Sequence, residues 1–255
     1  MKKVDISLLI LFPALALIIT IFYKTNLFES TLLFFGIPAI YLIIRDPHIL
    51  KKSFIFSFIF FLAMCPFLDA LGTLDKAWSI TTIFHFKFFG ISTVENYLFG
   101  FFWILVATLF YEHFFEKGKW KEKISKNIRY LIAIAIFLIS VLTFFFFYNL
   151  QLLTIPYFYL WASLVFVLPP LITFLYLHPK FLMNFLLLSF YFFFLLFLFE
   201  IGALHNGQWA FPGTHFIGFV EIFNYKFPIE EFVFWMVFCT PSLICQYEFF
   251  VDDMK

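Results

Sequence analysis

Two adjacent carboxylates, Glu230 and Glu231, lie just after Pro228 and open a long apolar segment. An ionised carboxylate is costly near hydrocarbon, so an acid pair in such a segment predicts a functional site. The helix dipole favours acids at a helix N-terminus by about 0.3–1 kcal/mol, which leaves a solvated helix start as the alternative interpretation. A weaker copy of the pattern occurs at Glu95, where Asn96 takes the place of the second acid.

The segments around these acids are those of a polytopic membrane protein. Of the residues, 64% are hydrophobic and 13% are charged, whereas a soluble domain has about 45–50% and about 25%. A bilayer core is crossed by about 20 apolar residues. The candidate spans are 6–23, 31–45, 53–70, 97–115, 128–148, 153–177, 181–201 and 231–250. The net charge of +1 gives no electrostatic reason to expect nucleic acid as a partner.

Basic residues are distributed unequally between the predicted loops. With the N-terminus in the cytoplasm, 13 of the 17 lysines and arginines fall on the cytoplasmic side, including the run from Lys117 to Arg129. This bias predicts that both termini lie in the cytoplasm. The first apolar run lacks a small-residue cleavage pattern, which predicts a retained helix rather than a signal peptide.

The sequence contains a weak internal repeat in which an acid precedes a tryptophan by nine residues and a second acid follows. The residues are Asp69, Trp78 and Glu95 in the first half, and Glu200, Trp209 and Glu230 in the second. An even number of spans per copy makes the repeats parallel. We therefore predict an all-α membrane protein of about eight transmembrane helices in two parallel four-helix repeats. The repeats would occupy 1–116 and 129–255, joined by a basic cytoplasmic linker, 117–128.

Two stretches without a helical pattern, 71–94 and 202–227, separate the third and fourth spans of each half. Both are aromatic and interrupted by glycine, and residues 83–88 and 219–225 have strand-like composition. Irregular backbone at membrane depth must be buried in protein or line a cavity. We predict a short interfacial β-hairpin in each repeat, both on the extracytoplasmic face.

The ordered motifs resemble those of the integral-membrane lycopene cyclases, which occur as two small subunits or as one fused chain. That family is marked by an acid, a tryptophan and a Pro-hydrophobic-Glu-Glu motif that opens a helix in each half. The second half carries Glu200, Trp209 and the segment 228–231, and the first half carries Asp69, Trp78 and Glu95. The first half departs from the pattern at Thr93 and Asn96. The resemblance implies the fused arrangement and a place in a prokaryotic cell membrane.

The resemblance also implies an isomerase that cyclises the acyclic end groups of a lipophilic carotenoid without a cofactor. A proton adds to the terminal double bond, a neighbouring double bond attacks the cation, and loss of a proton completes the ring. Such chemistry needs a protonated acid, a dry pocket and surfaces that stabilise a cation. Burial favours the neutral form of a carboxyl group, and aromatic faces attract cations.

The residue types required by this chemistry coincide with the repeated motifs. The catalytic candidates are Glu230, Glu231, Glu95, Asp69 and Glu200, and the substrate-binding candidates are Trp78, Trp209, Phe234, Trp235 and Asn96. Adjacent helical residues point about 100° apart. One acid of the pair Glu230 and Glu231 should therefore face the substrate, while the other binds the hairpin or accepts the departing proton.

Other interpretations of the same residues stay open. A carotenoid hydratase would begin with the same protonation, and a non-catalytic carotenoid-binding protein or a transporter would share the apolar helices. No lysine lies well inside a predicted span, which argues against a retinal Schiff base. The histidines His85, His205 and His215 and the three cysteines lack metal-ligand spacing, so no metal is predicted. Membrane lipid is an expected partner, and a homo-oligomer is left open.

Overall fold

The computed structural model of the protein describes residues 2–116 and 124–252. Within these ranges, eight helices are long and apolar enough to cross a membrane, as the sequence predicts. They are α1 (Lys2–Tyr23), α2 (Leu27–Arg45), α3 (Pro47–Leu74), α4 (Val94–Phe115), α5 (Ile128–Tyr148), α6 (Phe158–Leu177), α7 (Pro179–His205) and α8 (Glu230–Phe250). Residues 117–123 of the predicted linker lie outside the described part of the chain.

Three of the helices contain π-helical turns. In α2 the turn is Leu32–Gly36, and in α6 it is Ser163–Val167, at an offset of 131 residues. In α8 the first ten residues, Glu230–Cys239, are π-helical. The sequence predicts an irregular second span from Gly36 and Pro38, and the structure gives this irregularity the form of a π turn. Such turns occur preferentially at functional sites because they redirect side chains within a helix.

The sixth helix is shorter than predicted. It begins at Phe158 because Leu150–Leu153 forms a separate 3₁₀ turn and Pro156 lies in the connection that follows. Tyr157, which precedes the helix, has a φ of 57°. Asp75, at the C-terminal end of α3, accepts a hydrogen bond of 3.0 Å from the Phe158 amide and so satisfies one of the unpaired donors at this helix start.

In the described part of the chain, six short strands lie between the helices: β1 (Ser79–Ile80), β2 (Lys87–Phe88), β3 (Ser92–Thr93), β4 (Trp209–Ala210), β5 (Phe219–Ile222) and β6 (Tyr225–Pro228). The antiparallel pairs are β2 with β3, β5 with β6, and β1 with β4. The last pair joins the two halves of the chain through Ser79 opposite Ala210 and Ile80 opposite Trp209.

Most of the predicted strand segment 83–88 is not a strand, since only Lys87–Phe88 pairs with a neighbour. The reason lies in the backbone amides of Ile83 and Phe84, which donate to the Glu95 carboxylate at 2.6 and 3.3 Å. These amides are therefore not available to a strand partner. In the second half, β5 occupies four residues of the predicted segment 219–225.

The helices of the two halves are interleaved. The first helix of each half packs against the third helix of the other, so that α1 contacts α7 and α5 contacts α3. Helices α4 and α8 pack together, and the Trp103 indole donates to the Thr240 hydroxyl at 3.2 Å between them. The α4 helix has the largest buried fraction of the eight, which places it inside the bundle.

Candidate active site

A mainly apolar cavity of about 170 Å³ lies among α3, α4, α6, α7 and α8. Aromatic and aliphatic side chains form most of its wall, and Asp69 and Glu231 are its two carboxylic acids. A cavity of about 150 Å³ holds a molecule of the size of benzene. The space therefore accommodates one six-membered ring.

Asp69 enters the cavity wall from α3. Its Oδ1 accepts hydrogen bonds from Trp78 Nε1, at 2.9 Å, and from Asn96 Nδ2. Its Oδ2 is buried and has no hydrogen-bond partner among the described residues. The Trp78 ring occupies the space beside Gly72, where an added Cβ would lie 2.2 Å from the ring. The absence of a side chain at Gly72 therefore permits the Trp78 position that serves Asp69.

Glu231 enters the cavity wall from the first turn of α8, and its carboxylate has no hydrogen-bond partner among the described residues. Its neighbour Glu230 is fully buried and points elsewhere, because Glu230 Oε1 accepts a hydrogen bond of 2.8 Å from the Ile217 amide. One acid of the pair thus faces the cavity and the other binds the hairpin segment.

Glu95 corresponds to Glu230 in its contacts and does not line the cavity. It is fully buried, and its carboxylate accepts hydrogen bonds from the Ile83 amide at 2.6 Å and from the Thr82 hydroxyl at 2.9 Å. Thr93 caps α4 by accepting a hydrogen bond from the Asn96 amide at 3.4 Å. The structure therefore gives Glu95 contacts that hold the loop preceding α4.

Glu200 lies near the end of α7 and accepts a hydrogen bond of 2.8 Å from Trp209 Nε1. This contact repeats the pairing of Asp69 with Trp78 in the first half. Trp209 lines the cavity, whereas Glu200 does not. The carboxyl group of Glu200 is thus placed behind the aromatic wall, where it orients the indole.

The cavity wall contains four of the five predicted substrate-binding residues: Trp78, Trp209, Trp235 and Asn96. The fifth, Phe234, is not among the lining residues. The sequence interpretation missed seven further aromatic residues of the wall, which are Phe60, Tyr97, Phe99, Trp103, Tyr159, Phe166 and Phe211. Trp103 follows Asn96 by seven residues, which places both on one face of a helix. Helical periodicity was therefore a signal that could have identified Trp103.

Tyr159 had no comparable signal in the sequence. It contacts both predicted tryptophans of this region, with ring centroids 5.2 Å from Trp78 and 5.4 Å from Trp235. The position of Tyr159 follows from the start of α6 at Phe158, which Asp75 fixes from a distant part of the chain. Contacts between such distant segments are not visible in local residue patterns.

A second group of buried polar side chains lies near the C-terminal ends of α4 and α8. The Tyr111 hydroxyl donates to Glu248 and the Tyr247 hydroxyl donates to Glu112, so each helix supplies one donor and one acceptor. Nearby, the ammonium of the buried Lys52 lies 2.8 Å from Asp252. Lys52 lies near the start of α3, where it is buried, and not in the middle of a span.

Metal-ligating groups converge at one place in the described part of the chain. Carboxylate oxygens of Glu116, Glu248 and Asp252 lie within 4.8 Å of one another, an arrangement that could hold a cation. Two of the histidines are engaged elsewhere: His205 is hydrogen-bonded to Tyr225 and His215 to Asp75, both at 2.7 Å.

No protein-family model matches the chain, and comparisons with characterised proteins and with solved structures likewise found no match. The inference about function therefore depends on the cavity and its side chains.

Proposed function

We propose that the protein is a carotenoid cyclase that converts acyclic end groups of a lycopene-type substrate into ionone-type rings. The observation that carries this proposal is the apolar cavity of one-ring size that contains Glu231 and Asp69. The fused-chain resemblance to the integral-membrane lycopene cyclases agrees with it. The chain would act as an isomerase, without a cofactor, in a prokaryotic cell membrane with both termini in the cytoplasm.

Glu231 is the proposed general acid. Apolar surroundings favour the neutral form of a carboxyl group, and no described residue donates a hydrogen bond that would fix this acid as an anion. Its proton adds to the terminal double bond of the substrate and leaves a carbocation. The neighbouring double bond attacks this cation and closes the six-membered ring.

Asp69 is the proposed acceptor of the proton that the ring releases. Its unpaired Oδ2 is available, while Trp78 and Asn96 hold Oδ1 in place. The π faces of Trp78, Trp209 and Trp235 stabilise the cation by an attraction of about 2 kcal/mol or more where water is excluded. Return of the proton from Asp69 to Glu231 restores both groups to their starting protonation states. The overall reaction is an isomerisation, in which no electrons are gained or lost.

We also propose that the chain consists of two parallel four-helix repeats, each with an interfacial hairpin. The matching π turns, the two acid–tryptophan hydrogen bonds and the reciprocal Tyr111–Glu248 and Tyr247–Glu112 contacts support this arrangement. The repeats share one cavity, to which the first contributes Asp69 and the second Glu231.

The test is pigment analysis in a host that accumulates lycopene. The wild-type chain should convert lycopene into a cyclic product of unchanged mass. Glu231→Gln should lower conversion about 10²–10⁴-fold, the usual contribution of a positioned acid, while Glu230→Gln should retain most of it. The proposal is wrong if wild-type protein, verified in the membrane, leaves lycopene unchanged.

A second candidate function is hydration of the terminal double bond. Three buried polar atoms in the cavity wall, Asp69 Oδ2, Tyr97 Oη and Trp235 Nε1, have no partner among the described residues. Unpaired polar groups in a cavity favour a bound water molecule, and water could capture the carbocation. Product mass separates the two reactions, since hydration adds one water and cyclisation does not.

A further inference from the structure

A second recess opens at the end of the bundle that carries the N-terminus. It lies between α1, α4 and α7 and has a volume of about 600 Å³, within the range of about 300–1,000 Å³ found for small-molecule sites. Its walls include Ile6, Ile10, Phe114 and Leu187. None of its lining residues also lines the cavity that contains Glu231. The recess is therefore a separate candidate binding site.

Two lysines, Lys2 and Lys3, form one edge of this recess. Lys2 Nζ donates a hydrogen bond of 2.6 Å to the backbone carbonyl of His113 in the last turn of α4, which holds the ammonium at the recess. Within residues 2–116 and 124–252, neither ammonium forms an ion pair with a carboxylate. The acid nearest in sequence, Asp5, is bound instead to Arg45 at 2.8 Å. Beyond the carbonyl contacts of Lys2, the described residues thus offer no carboxylate as a counter-charge to these two ammonium groups.

Phe110 and Tyr191 form the floor of the recess, and among the described residues no buried polar atom of its lining is left without a partner. The Tyr191 ring stacks on Phe110 with centroids 4.3 Å apart, and the Tyr191 hydroxyl donates to the Leu9 carbonyl at 3.3 Å. The complement of this surface is a molecule with a hydrocarbon tail and an anionic head. A neutral carotenoid fits the walls but would leave both ammonium groups without a counter-charge.

We propose that this recess binds one anionic phospholipid, with its headgroup phosphate on Lys2 and Lys3 and an acyl chain along Ile10, Phe114 and Leu187. Basic pockets between transmembrane helices recognise lipid headgroups through this combination of charge and apolar surface. Because a bound tail would contact three helices, the lipid would join α1 to the α4 and α7 helices that flank it. The site would be independent of the proposed chemistry at Glu231.

Lipid titration of the purified full-length chain in neutral detergent tests the headgroup contact. Phosphatidylglycerol should bind more tightly than phosphatidylcholine, as measured by native mass spectrometry. A Lys2→Gln, Lys3→Gln variant should lose about 30-fold in affinity for phosphatidylglycerol and little for phosphatidylcholine. Lys2→Arg, Lys3→Arg should stay within about threefold of wild type. The matched control is Lys24→Gln, Lys87→Gln, which removes two exposed lysines at the opposite end of the bundle.

A second variant tests the tail contact without changing charge. Leu187→Trp fills the recess and should weaken binding of phosphatidylglycerol at least tenfold, whereas Leu186→Trp, an exposed neighbour outside the recess, should not. Equal affinity of the wild type for the two lipids overturns the proposal, as does an equal loss in Leu187→Trp and Leu186→Trp. If the double lysine variant fails to fold, the comparison of Leu187→Trp with Leu186→Trp still tests the proposed lipid site.

Discussion

The two halves of the chain build the same acid–tryptophan contact and use it differently. In the first half, Asp69 binds Trp78 and Asn96 and still presents a free oxygen to the cavity. In the second half, Glu200 binds Trp209 but lies behind the wall. The acid that reaches the cavity from that half is Glu231. Each half thus contributes one acid to the cavity, but from a different position in its motif.

Asn96 occupies the position in the first half that Glu231 holds in the second, at an offset of 135 residues. A glutamate at this position would place a second carboxyl group beside Asp69, and two like charges in low dielectric repel each other. Asparagine supplies an N–H donor to Asp69 instead. The first half therefore holds Asp69 by hydrogen bonds, whereas no residue that the structure describes donates a hydrogen bond to Glu231. This asymmetry is consistent with one acid and one base rather than two equivalent centres.

The largest expected effect separates Asp69 from Glu200. Asp69→Asn should lower conversion of lycopene at least about 100-fold, because the amide cannot accept the departing proton. Glu200→Gln should stay within about threefold of wild type, since its carboxyl group orients Trp209 without reaching the cavity. Pigment ratios at equal membrane expression measure both. Equal losses in the two variants would show that both acids serve the reaction and that the asymmetry is not functional.

The second comparison concerns the acids that hold the loops. Glu95 accepts three hydrogen bonds from Thr82 and the Ile83 and Phe84 amides, whereas Glu230 accepts one from Ile217. Hydrogen bonds to charged groups contribute about 1.5–3 kcal/mol each and are not additive. We expect Glu95→Ala to lower the free energy of unfolding by roughly 3 kcal/mol and Glu230→Ala by roughly half as much.

Denaturant unfolding of the purified variants, followed by tryptophan fluorescence, gives both values. A larger loss for Glu230→Ala than for Glu95→Ala would reverse the expected order. It would also show that the hydrogen bonds of the first loop are not the main contribution to its stability.

The third comparison concerns the helix position beside Trp78 and its counterpart in the second half. Gly72 leaves room for the Trp78 ring, while the residue 131 positions later is the fully buried Ala203. Gly72→Ala should cost roughly 2–3 kcal/mol of unfolding free energy, because overpacking a filled site costs about 1–3 kcal/mol. Ala203→Gly should cost about 1 kcal/mol, the difference in helix propensity. Thermal unfolding followed by calorimetry measures the loss of unfolding free energy in each variant. A loss for Gly72→Ala no larger than that for Ala203→Gly would show that the Trp78 ring moves aside at little cost.

The helices could be predicted from the sequence, because an apolar run long enough to cross a bilayer has few other ways to satisfy its backbone hydrogen bonds. The eight helices and the irregular second span follow from composition, Gly36 and Pro38. The strand prediction for 83–88 was wrong over most of its length, since the decisive partner, Glu95, is a side chain rather than a second strand. Strand composition indicates which backbone can pair but not which group it binds.

The candidate site could be predicted only in part, because some of its contacts join segments that are distant in sequence. Chemical type and repeat spacing identified Asp69, Glu231 and the tryptophans, and helical periodicity could have added Trp103. Nothing local distinguishes Glu95 and Glu230 from cavity acids, because their role depends on amides more than ten residues away. Tyr159 and the buried ion pair of Lys52 with Asp252 depend on contacts between segments that are distant in sequence.

The smallest expected effect tests the two indole hydrogen bonds directly. Trp209→Phe removes the one hydrogen bond that Glu200 receives in the described structure, whereas Trp78→Phe leaves Asp69 its bond from Asn96. A buried acceptor left without any donor costs about 1–3 kcal/mol. We expect unfolding free energies lower by about 1.5 kcal/mol for Trp209→Phe and by about 0.5 kcal/mol for Trp78→Phe. Because the ring change is the same in both, the difference isolates the contribution of Asn96. Equal losses would show that Asn96 does not compensate for the missing indole, and the first half would then hold its acid no better than the second.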